Sequence, residues 1–251
     1  GFGVGACPLR LRAFSFAPVE HWYYLLINVF SVAFPLMASL PLGWRGFAQR
    51  IRFRETWPRL FLGIGVMAAL FIAWDVAFTE RGIWGFNPRY LLGVELIGLP
   101  LEEWLFFVCI PYSCMFLYEV MRHAMARDIL TPIARLLSML LIIALAIIGL
   151  ANLDRMYTSI TFISTALYLA YHVFIARSPW LGRFYLGYAV SLIPFLLVNG
   201  ILTGWLLPEP IVSYNDVENL GLRINTIPIE DSVYLPLMLF IVSAFYERAL
   251  K

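Results

Sequence analysis

Two adjacent carboxylic acids occur twice in the chain, each time after a proline and at the start of an apolar run. The stretch LPLEEWLF contains Glu102 and Glu103, and the stretch IPIEDSVY contains Glu230 and Asp231. Two carboxyl groups held close together away from water cannot both ionise cheaply, so at least one is expected to keep its proton near neutral pH. Such a group is a Brønsted acid, and a carboxyl pair can supply both the donor and the acceptor of a proton-transfer reaction.

An aromatic residue follows the first acid of each pair by four positions, Phe106 in one copy and Tyr234 in the other. Residues four apart lie on the same face of a helix, so acid and ring are expected to face the same space. An aromatic face stabilises a nearby cation by about 2 kcal/mol or more when the site excludes water. The combination predicts acid-initiated carbocation chemistry on a hydrocarbon, and Trp104 is a further candidate for the lining of the site.

Helix-start preferences are the competing explanation of these motifs. Proline in the first turn costs no hydrogen bond, and carboxylates are favoured at the positive end of the helix dipole. These preferences account for one acid pair, but they do not account for its repetition together with the aromatic residue. All four acids therefore remain catalytic candidates.

The composition of the chain excludes an ordinary soluble domain. Of its 251 residues, 61% are hydrophobic and 14% are charged, and its mean hydropathy is +0.80, which indicates an integral membrane protein. Apolar runs of about 17 to 25 residues fit the hydrocarbon core as helices, and these runs lack the alternation of membrane strands. Seven such runs are predicted, at roughly 22–40, 60–79, 100–120, 132–151, 157–176, 184–206 and 229–247.

The chain contains an internal repeat that includes both acid motifs. The segment 86–119 aligns without gaps on the segment 214–247, at an offset of 128 residues. The copies end predicted helices 3 and 7, which are four spans apart, so they cross the membrane in the same direction. The repeats are therefore expected to be parallel, with the acid pairs at one depth.

The predicted fold is all-α: a seven-helix membrane bundle of two parallel three-helix repeats joined by a linker helix. The first repeat, helices 1–3, is expected at 21–121, and the second, helices 5–7, at 157–251. The linker with helix 4 is expected at 122–156. Residues 1–20 are predicted to be an extension whose native status the sequence leaves open.

Four polar residues are weaker candidates for the lining of the site. Asp75 in predicted helix 2 and Asn199 in predicted helix 6 take comparable places if the alignment allows a four-residue gap. An acid inside a membrane span is a functional candidate by default, although a buried structural pair explains Asp75 equally well. Asn87 and Asn215 precede the two acid motifs, and as residues before Pro or Asp they are also typical turn formers.

The basic residues are distributed unequally between alternate loops. Twelve of the 18 lie on one side of the predicted membrane. Because cytoplasmic loops carry the excess of Lys and Arg, this asymmetry places the N-terminus outside and the C-terminus inside, in a multi-pass protein of the cell membrane.

Motifs for common cofactors fail on their context. GFGVGA at the N-terminus matches the letters of a dinucleotide fingerprint, but no strand precedes it and no βαβ unit follows. A retinal protein requires a lysine within its last helix, and the only lysine is the terminal Lys251. Cys109 and Cys114 lie within an apolar run, which argues against a disulfide scaffold or a metal site. No cofactor and no metal are expected.

Five stretches of the chain resemble the membrane-integral lycopene cyclases, which occur as two-subunit enzymes in some bacteria and as fused chains in others and in fungi. The resemblance covers nearly everything from about residue 22 onward and leaves out the first twenty residues. It is carried by YLLINVFSVAFPL, WDVAFTERGIWGFNPRYL, LPLEEWLFFVCIPYSCMFLYE, PFLLVNGILTGW and YNDVENLGLRINTIPIED.

The resemblance implies a lycopene β-cyclase of carotenoid biosynthesis, in the fused form. An acid protonates C2 of a linear ψ-end, the C5=C6 bond attacks the C1 cation, and loss of the C6 proton leaves a β-ionone ring. It also implies that Glu102, Glu103, Glu230 and Asp231 are the catalytic groups, and it leaves open which is donor and which is acceptor. The implied partners are lycopene or a related ψ-end carotenoid and membrane lipid, with contact to other carotenoid enzymes left open and no nucleic acid.

Two other functions stay open at this point. A carotenoid hydratase would capture the same C1 cation with water. A proton-coupled transporter would also use parallel repeats with acids inside the membrane, although acids at helix starts and only seven spans argue against it.

Overall fold

The structure is a computed structural model that describes residues 9–11, 19–40, 51–125 and 128–250. Each predicted apolar run coincides with one α-helix in these ranges. Most of the predicted extension 1–20, including GFGVGA, lies outside the described residues. The helices are α1 Tyr23–Ser39, α2 Trp57–Glu80, α3 Leu101–Ala124, α4 Thr131–Ala151, α5 Met156–Ala170, α6 Leu181–Leu202 and α7 Asp231–Tyr246.

Most of these helices are long and apolar enough to cross a membrane. By length and composition, the described residues contain six such spans: Val19–Ser39, Phe53–Glu80, Leu101–Ala124, Thr131–Ala151, Met156–Ile175 and Leu181–Leu202. The apolar helix α7 has 16 residues, or about 24 Å at about 1.5 Å per residue, which is shorter than a hydrocarbon core of about 30 Å. The chain is a multi-pass membrane protein built mainly of helices, which confirms the predicted all-α membrane class.

Short strands occupy the two connections that lead into α3 and α7. Within each connection a small hairpin precedes the helix, and the two hairpins begin and end 128 residues apart, apart from one extra residue in β3. An N-terminal strand of the predicted extension pairs with the first hairpin. The strands are β1 Leu9–Leu11, β2 Trp84–Phe86, β3 Val94–Leu96, β4 Leu99–Pro100, β5 Val212–Tyr214, β6 Arg223–Ile224 and β7 Ile227–Pro228.

The pairing of β2 with β5 ties the two connections together. The strands are antiparallel, with Gly85 opposite Ser213 at the centre of the register. Beyond their ends, the N–H of Asn87 donates to the carbonyl of Ile211, and the N–H of Asn215 donates to the carbonyl of Ile83, both at 2.8 Å. Because these two bonds exchange positions 128 apart, the connections meet around a local two-fold axis.

The helices interleave along the chain instead of packing in sequence order. Helix α1 packs on α3, α2 on α7, α3 on α6 and α5 on α7. The helices that begin with the acid motifs, α3 and α7, therefore contact helices from both ends of the chain. Of the six candidate spans, α3 is the most buried.

Two glycines allow the close approach of helices in this arrangement. A Cβ at Gly63 of α2 would lie 3.1 Å from the carbonyl oxygen of Val242 in α7. A Cβ at Gly187 of α6 would lie 2.6 Å from Cδ2 of Tyr118 in α3. The two glycines are 124 residues apart, which is also the spacing of Asp75 and Asn199.

Replacing Gly187 with alanine is expected to lower the free energy of unfolding by about 1–3 kcal/mol, because the new methyl group overlaps the ring of Tyr118. That ring cannot turn aside freely, since its hydroxyl donates to Glu247. Gly65→Ala is the matched control, because nothing lies within 4 Å of the added Cβ. Thermal unfolding in detergent micelles measures both variants, and equal stability of the two would contradict the packing argument.

Candidate active site

Both acid pairs lie at the beginnings of buried helices. Glu102 and Glu103 are in the first turn of α3, Asp231 is the first residue of α7, and Glu230 directly precedes it. None of the four side chains is more than 8% exposed. A helix start directs free N–H groups and the positive end of the dipole toward these carboxyls, which partly offsets the cost of their burial.

The first acid of each pair is bound to its own connecting loop. Glu102 Oε1 accepts the N–H of Leu92 at 2.6 Å, and Glu230 Oε1 accepts the N–H of Leu220 at 2.7 Å. Both bonds link residues ten apart, at positions 128 apart in the chain. The Thr158 hydroxyl also donates to Glu230 Oε1 at 2.6 Å. These two acids therefore order the loops that lead into α3 and α7.

The second acid of each pair accepts a tyrosine hydroxyl from another helix. Tyr24, the second residue of α1, donates to Glu103 Oε2. Tyr157, the second residue of α5, donates to Asp231 Oδ1. The two second acids thus have equivalent surroundings on this side.

Asp231 receives two further hydrogen bonds. The Asn199 side-chain amide donates to Asp231 Oδ2 at 2.5 Å, and the Tyr214 hydroxyl donates to the same oxygen at 3.1 Å. Burial and the neighbouring Asp231 carboxyl raise the pKa of the Tyr214 hydroxyl well above its usual range, so Tyr214 remains a protonated donor.

Asp75 lies beside the other second acid. Its carboxyl group is within hydrogen-bonding range of the Glu103 carboxyl. Asp75 Oδ1 accepts the indole N–H of Trp84 at 2.5 Å and the hydroxyl of Thr79 at 3.2 Å. Asp75 Oδ2 is buried and has no donor among the described residues.

One cavity brings the two clusters together. It encloses about 480 Å³ of empty space, including its mouth, and Asp75, Glu103, Asn199 and Asp231 all line it. Most of the remaining lining is aromatic. The aromatic side chains include Tyr24, Trp84, Phe106, Tyr157, Tyr214 and Tyr234.

Trp84 is at the centre of the aromatic lining. The centroid of its ring lies 5.2 Å from that of Tyr157, 6.1 Å from that of Tyr214 and 6.3 Å from that of Tyr234. The ring of Tyr157 stacks on that of Tyr214 at 5.8 Å. Because ring faces attract positive charge, this lining can stabilise a cation inside the cavity.

The structure brings six of the eleven sequence candidates to this cavity and places five elsewhere. Those that line the cavity are Glu103, Asp231, Asp75, Asn199, Phe106 and Tyr234. Those that do not line it are Glu102, Glu230, Trp104, Asn87 and Asn215.

The residues outside the cavity have identifiable contacts. The Trp104 indole N–H donates to the Leu96 carbonyl at 3.2 Å. The side-chain oxygens of Asn87 and Asn215 each accept the N–H two residues later at 3.1 Å, which is the turn-forming role. Phe106 shares its helix face with Glu103, three residues before it, because the Glu102 side chain turns back to the loop.

Sequence reasoning missed Tyr24, Tyr157, Trp84 and Tyr214, which supply donors to the acids. Each tyrosine at the start of α1 and α5 could have been found from its place as the second residue of the first helix of a repeat. That signal was hidden, since these helices fall outside the gap-free alignment. Trp84 and Tyr214 are aligned on no equivalent polar partner, and only the β2–β5 pairing brings them into the site.

The described residues contain no group of three His, Cys, Asp or Glu side chains placed to hold a metal ion. The acids of the cavity instead have Tyr, Trp, Asn and Thr donors, which are partners for protonated or ionised carboxyls. The expectation that no cofactor is needed stays a prediction.

A family model described as lycopene cyclase matches residues 21–121 and 154–249, most of the chain. The chain belongs to the lycopene cyclase family. The family implies an enzyme of carotenoid biosynthesis that acts on a carotenoid substrate, and the membrane helices and the apolar, acid-containing cavity agree with that assignment. Comparisons with curated proteins and with solved structures gave no match.

Replacing Glu230 with alanine is expected to destabilise the cyclase by about 1–3 kcal/mol for each donor left unpaired, here the Leu220 N–H and the buried Thr158 hydroxyl. Glu230→Gln is the matched variant, because its amide oxygen can accept both bonds. Thermal unfolding in micelles compares them. An alanine variant as stable as the glutamine variant would show that the loop bond contributes nothing.

Proposed function

We propose that this chain is a lycopene β-cyclase that converts linear ψ-ends to β-ionone rings by acid-initiated, redox-neutral cyclisation. One observation carries the proposal: carboxyl groups from both acid motifs face a single aromatic-lined cavity inside a membrane bundle. A membrane cavity admits a hydrocarbon substrate, and its acids supply the proton that such a substrate lacks. The reaction is an isomerisation, so it needs an acid and a base and no net oxidant.

The aromatic lining supports the cationic part of this route. After protonation at C2, positive charge lies first at C1 and then, once the C1–C6 bond has formed, at C5. A ring face contributes about 2 kcal/mol or more to a desolvated cation. The lining also limits contact with water, which would otherwise capture the cation.

We further propose that the bundle consists of two parallel three-helix repeats, α1–α3 within 21–121 and α5–α7 within 157–251, with α4 in a linker at 122–156. The matching hairpins and loop bonds at an offset of 128 support this. The paired glycines of α2 and α6 support it independently. The two segments that the family model matches also agree closely with these boundaries.

The proposed location is the cell membrane, with the N-terminus outside and the C-terminus inside. The excess of basic residues in one set of loops supports this orientation. It places the paired loops β2–β5 and the acid motifs toward the non-cytoplasmic side. The proposed partners are a ψ-end carotenoid and the surrounding lipid, and contact with other carotenoid enzymes is left open.

An apolar groove between α1, α3 and α6 offers a place for the rest of the polyene. Its lining includes Phe30, Ile110 and Val198, and it shares Phe195 with the acid-containing cavity. Phe30 is 73% exposed, so the groove opens on the surface that faces lipid. Its two serines donate to backbone carbonyls, which leaves the groove with a hydrocarbon character.

Expression in a bacterial host that accumulates lycopene tests the proposed activity, with products separated by chromatography. Wild type is expected to form β-rings, and Glu103→Gln is expected to lower conversion by about 100-fold or more through loss of a cavity carboxyl. Glu102→Gln is the matched control and should keep most activity, because its amide oxygen can still accept the Leu92 N–H. Unchanged lycopene with folded wild type would refute a cyclase, and hydroxylated product would identify a hydratase.

Val198→Trp is expected to fill the groove and lower conversion of lycopene by about tenfold, equivalent to about 1.4 kcal/mol. Leu167→Trp is the control, because Leu167 is 67% exposed on α5 and does not line the groove. Both variants are compared with wild type at equal amounts of folded protein. Equal conversion by the two variants would exclude the groove as the polyene site.

A further inference from the structure

We propose that the two sides of the cavity have divided roles, an inference that rests on the proposed function. The Asp75–Glu103 carboxyl pair supplies the proton that starts cyclisation. The Asp231 carboxylate removes the proton that ends it. The sequence offered four acids with interchangeable roles, and the contacts of each carboxyl now separate them.

The Asp75–Glu103 pair is built to hold a shared proton. Its two carboxyl groups are within hydrogen-bonding range of one another, and two carboxylates cannot form a hydrogen bond unless one carries a proton. Asp75 is 1% exposed, and its Oδ2 has no other donor among the described residues. A proton between the groups gives that oxygen a partner and removes one of two like charges from an apolar site.

Asp231 has the opposite surroundings. Three neutral donors reach its carboxyl group: the hydroxyls of Tyr157 and Tyr214 and the side-chain amide of Asn199. Hydrogen bonds donated to a carboxylate stabilise its ionised form. An ionised carboxylate with no carboxylic partner in contact is a base that can accept a proton from carbon.

A single chemical difference separates the two sides. Asp75 and Asn199 are 124 residues apart on α2 and α6, and each is followed four residues later by a threonine, Thr79 or Thr203. Each contacts the second acid of one motif. The amide of Asn199 can donate to Asp231 but has no acidic proton to share, so only the Asp75 side can hold a proton between two carboxyls.

The step balances with these groups alone. The O–H bond of the Asp75–Glu103 pair breaks, and the electrons of C1=C2 form the new C2–H bond. The electrons of C5=C6 then form the C1–C6 bond and leave the cation at C5. The C6–H bond breaks, its electrons restore C5=C6, and its proton passes to Asp231. Exchange with solvent reloads the pair and discharges Asp231, so one proton enters and one leaves per ring.

Turnover of lycopene by purified full-length protein in D₂O tests the division, with products and recovered substrate analysed by mass spectrometry. Asp75→Asn is expected to lower consumption of lycopene by about 100-fold and to leave recovered lycopene unlabelled, since no cation forms. Asp231→Asn is expected to lower β-ring yield by about tenfold, while deuterium still enters recovered lycopene or ring isomers, because protonation continues without the base. Glu80→Gln, at the exposed end of α2, is the matched control.

The outcomes separate this inference from the proposed function. Wild type that leaves lycopene unchanged and unlabelled refutes the cyclase itself. If wild type forms β-rings, the division is overturned by a folded Asp231→Asn that forms β-rings as well as wild type does, or that yields neither product nor label. Normal β-ring formation by Asp75→Asn overturns it too. If Asp231→Asn does not fold, Tyr214→Phe removes one donor to the same carboxylate, and an unchanged ratio of β-rings to other products would then refute the division.

Discussion

The structure depends on one constraint, which is that carboxyl groups buried in an apolar bundle must be given partners. An acid at the centre of a membrane helix costs about 2.5–3.5 kcal/mol on the insertion scale, and an unpaired buried charge costs more. The bundle answers with donors from several elements at once. Hydroxyls come from the first turns of α1 and α5, an N–H comes from each connecting loop, and the indole of Trp84 comes from β2.

The same constraint applies at the opposite ends of α3 and α7. There the hydroxyl of Tyr118 donates to Glu247, and the hydroxyl of Tyr246 donates to Glu119 Oε2 at 2.7 Å. The two bonds exchange partners 128 residues apart between the helices. Arg122 pairs with Glu119, which leaves neither end of the buried pair of helices without polar anchoring. Helices held at both ends keep the cavity walls in place, and a preorganised site needs less rearrangement when charge develops.

The near-symmetry of the site and its one departure have different origins. Duplicated sequence produces equivalent loops, hairpins and tyrosine contacts, since similar residues in similar places make similar bonds. The departure at Asp75 and Asn199 is a change of one side-chain group, yet it decides whether the neighbouring acid meets another acid or an amide donor. Acid–base chemistry needs two groups of unlike protonation, and identical halves would not supply them.

The sequence by itself determined the membrane class, the positions of the seven helices and the doubled acid motif, because hydropathy, span length and an offset of 128 residues are properties of the chain alone. It also contained Asp75 and Asn199, although a gap obscured their correspondence. Only the tertiary structure decided which acid of each pair faces the cavity. Adjacent helix residues point about 100° apart, and whether Glu102 or Glu103 turns inward depends on the loop N–H of Leu92 and the hydroxyl of Tyr24. Those partners come from elements brought together by folding, so no local pattern could reveal them.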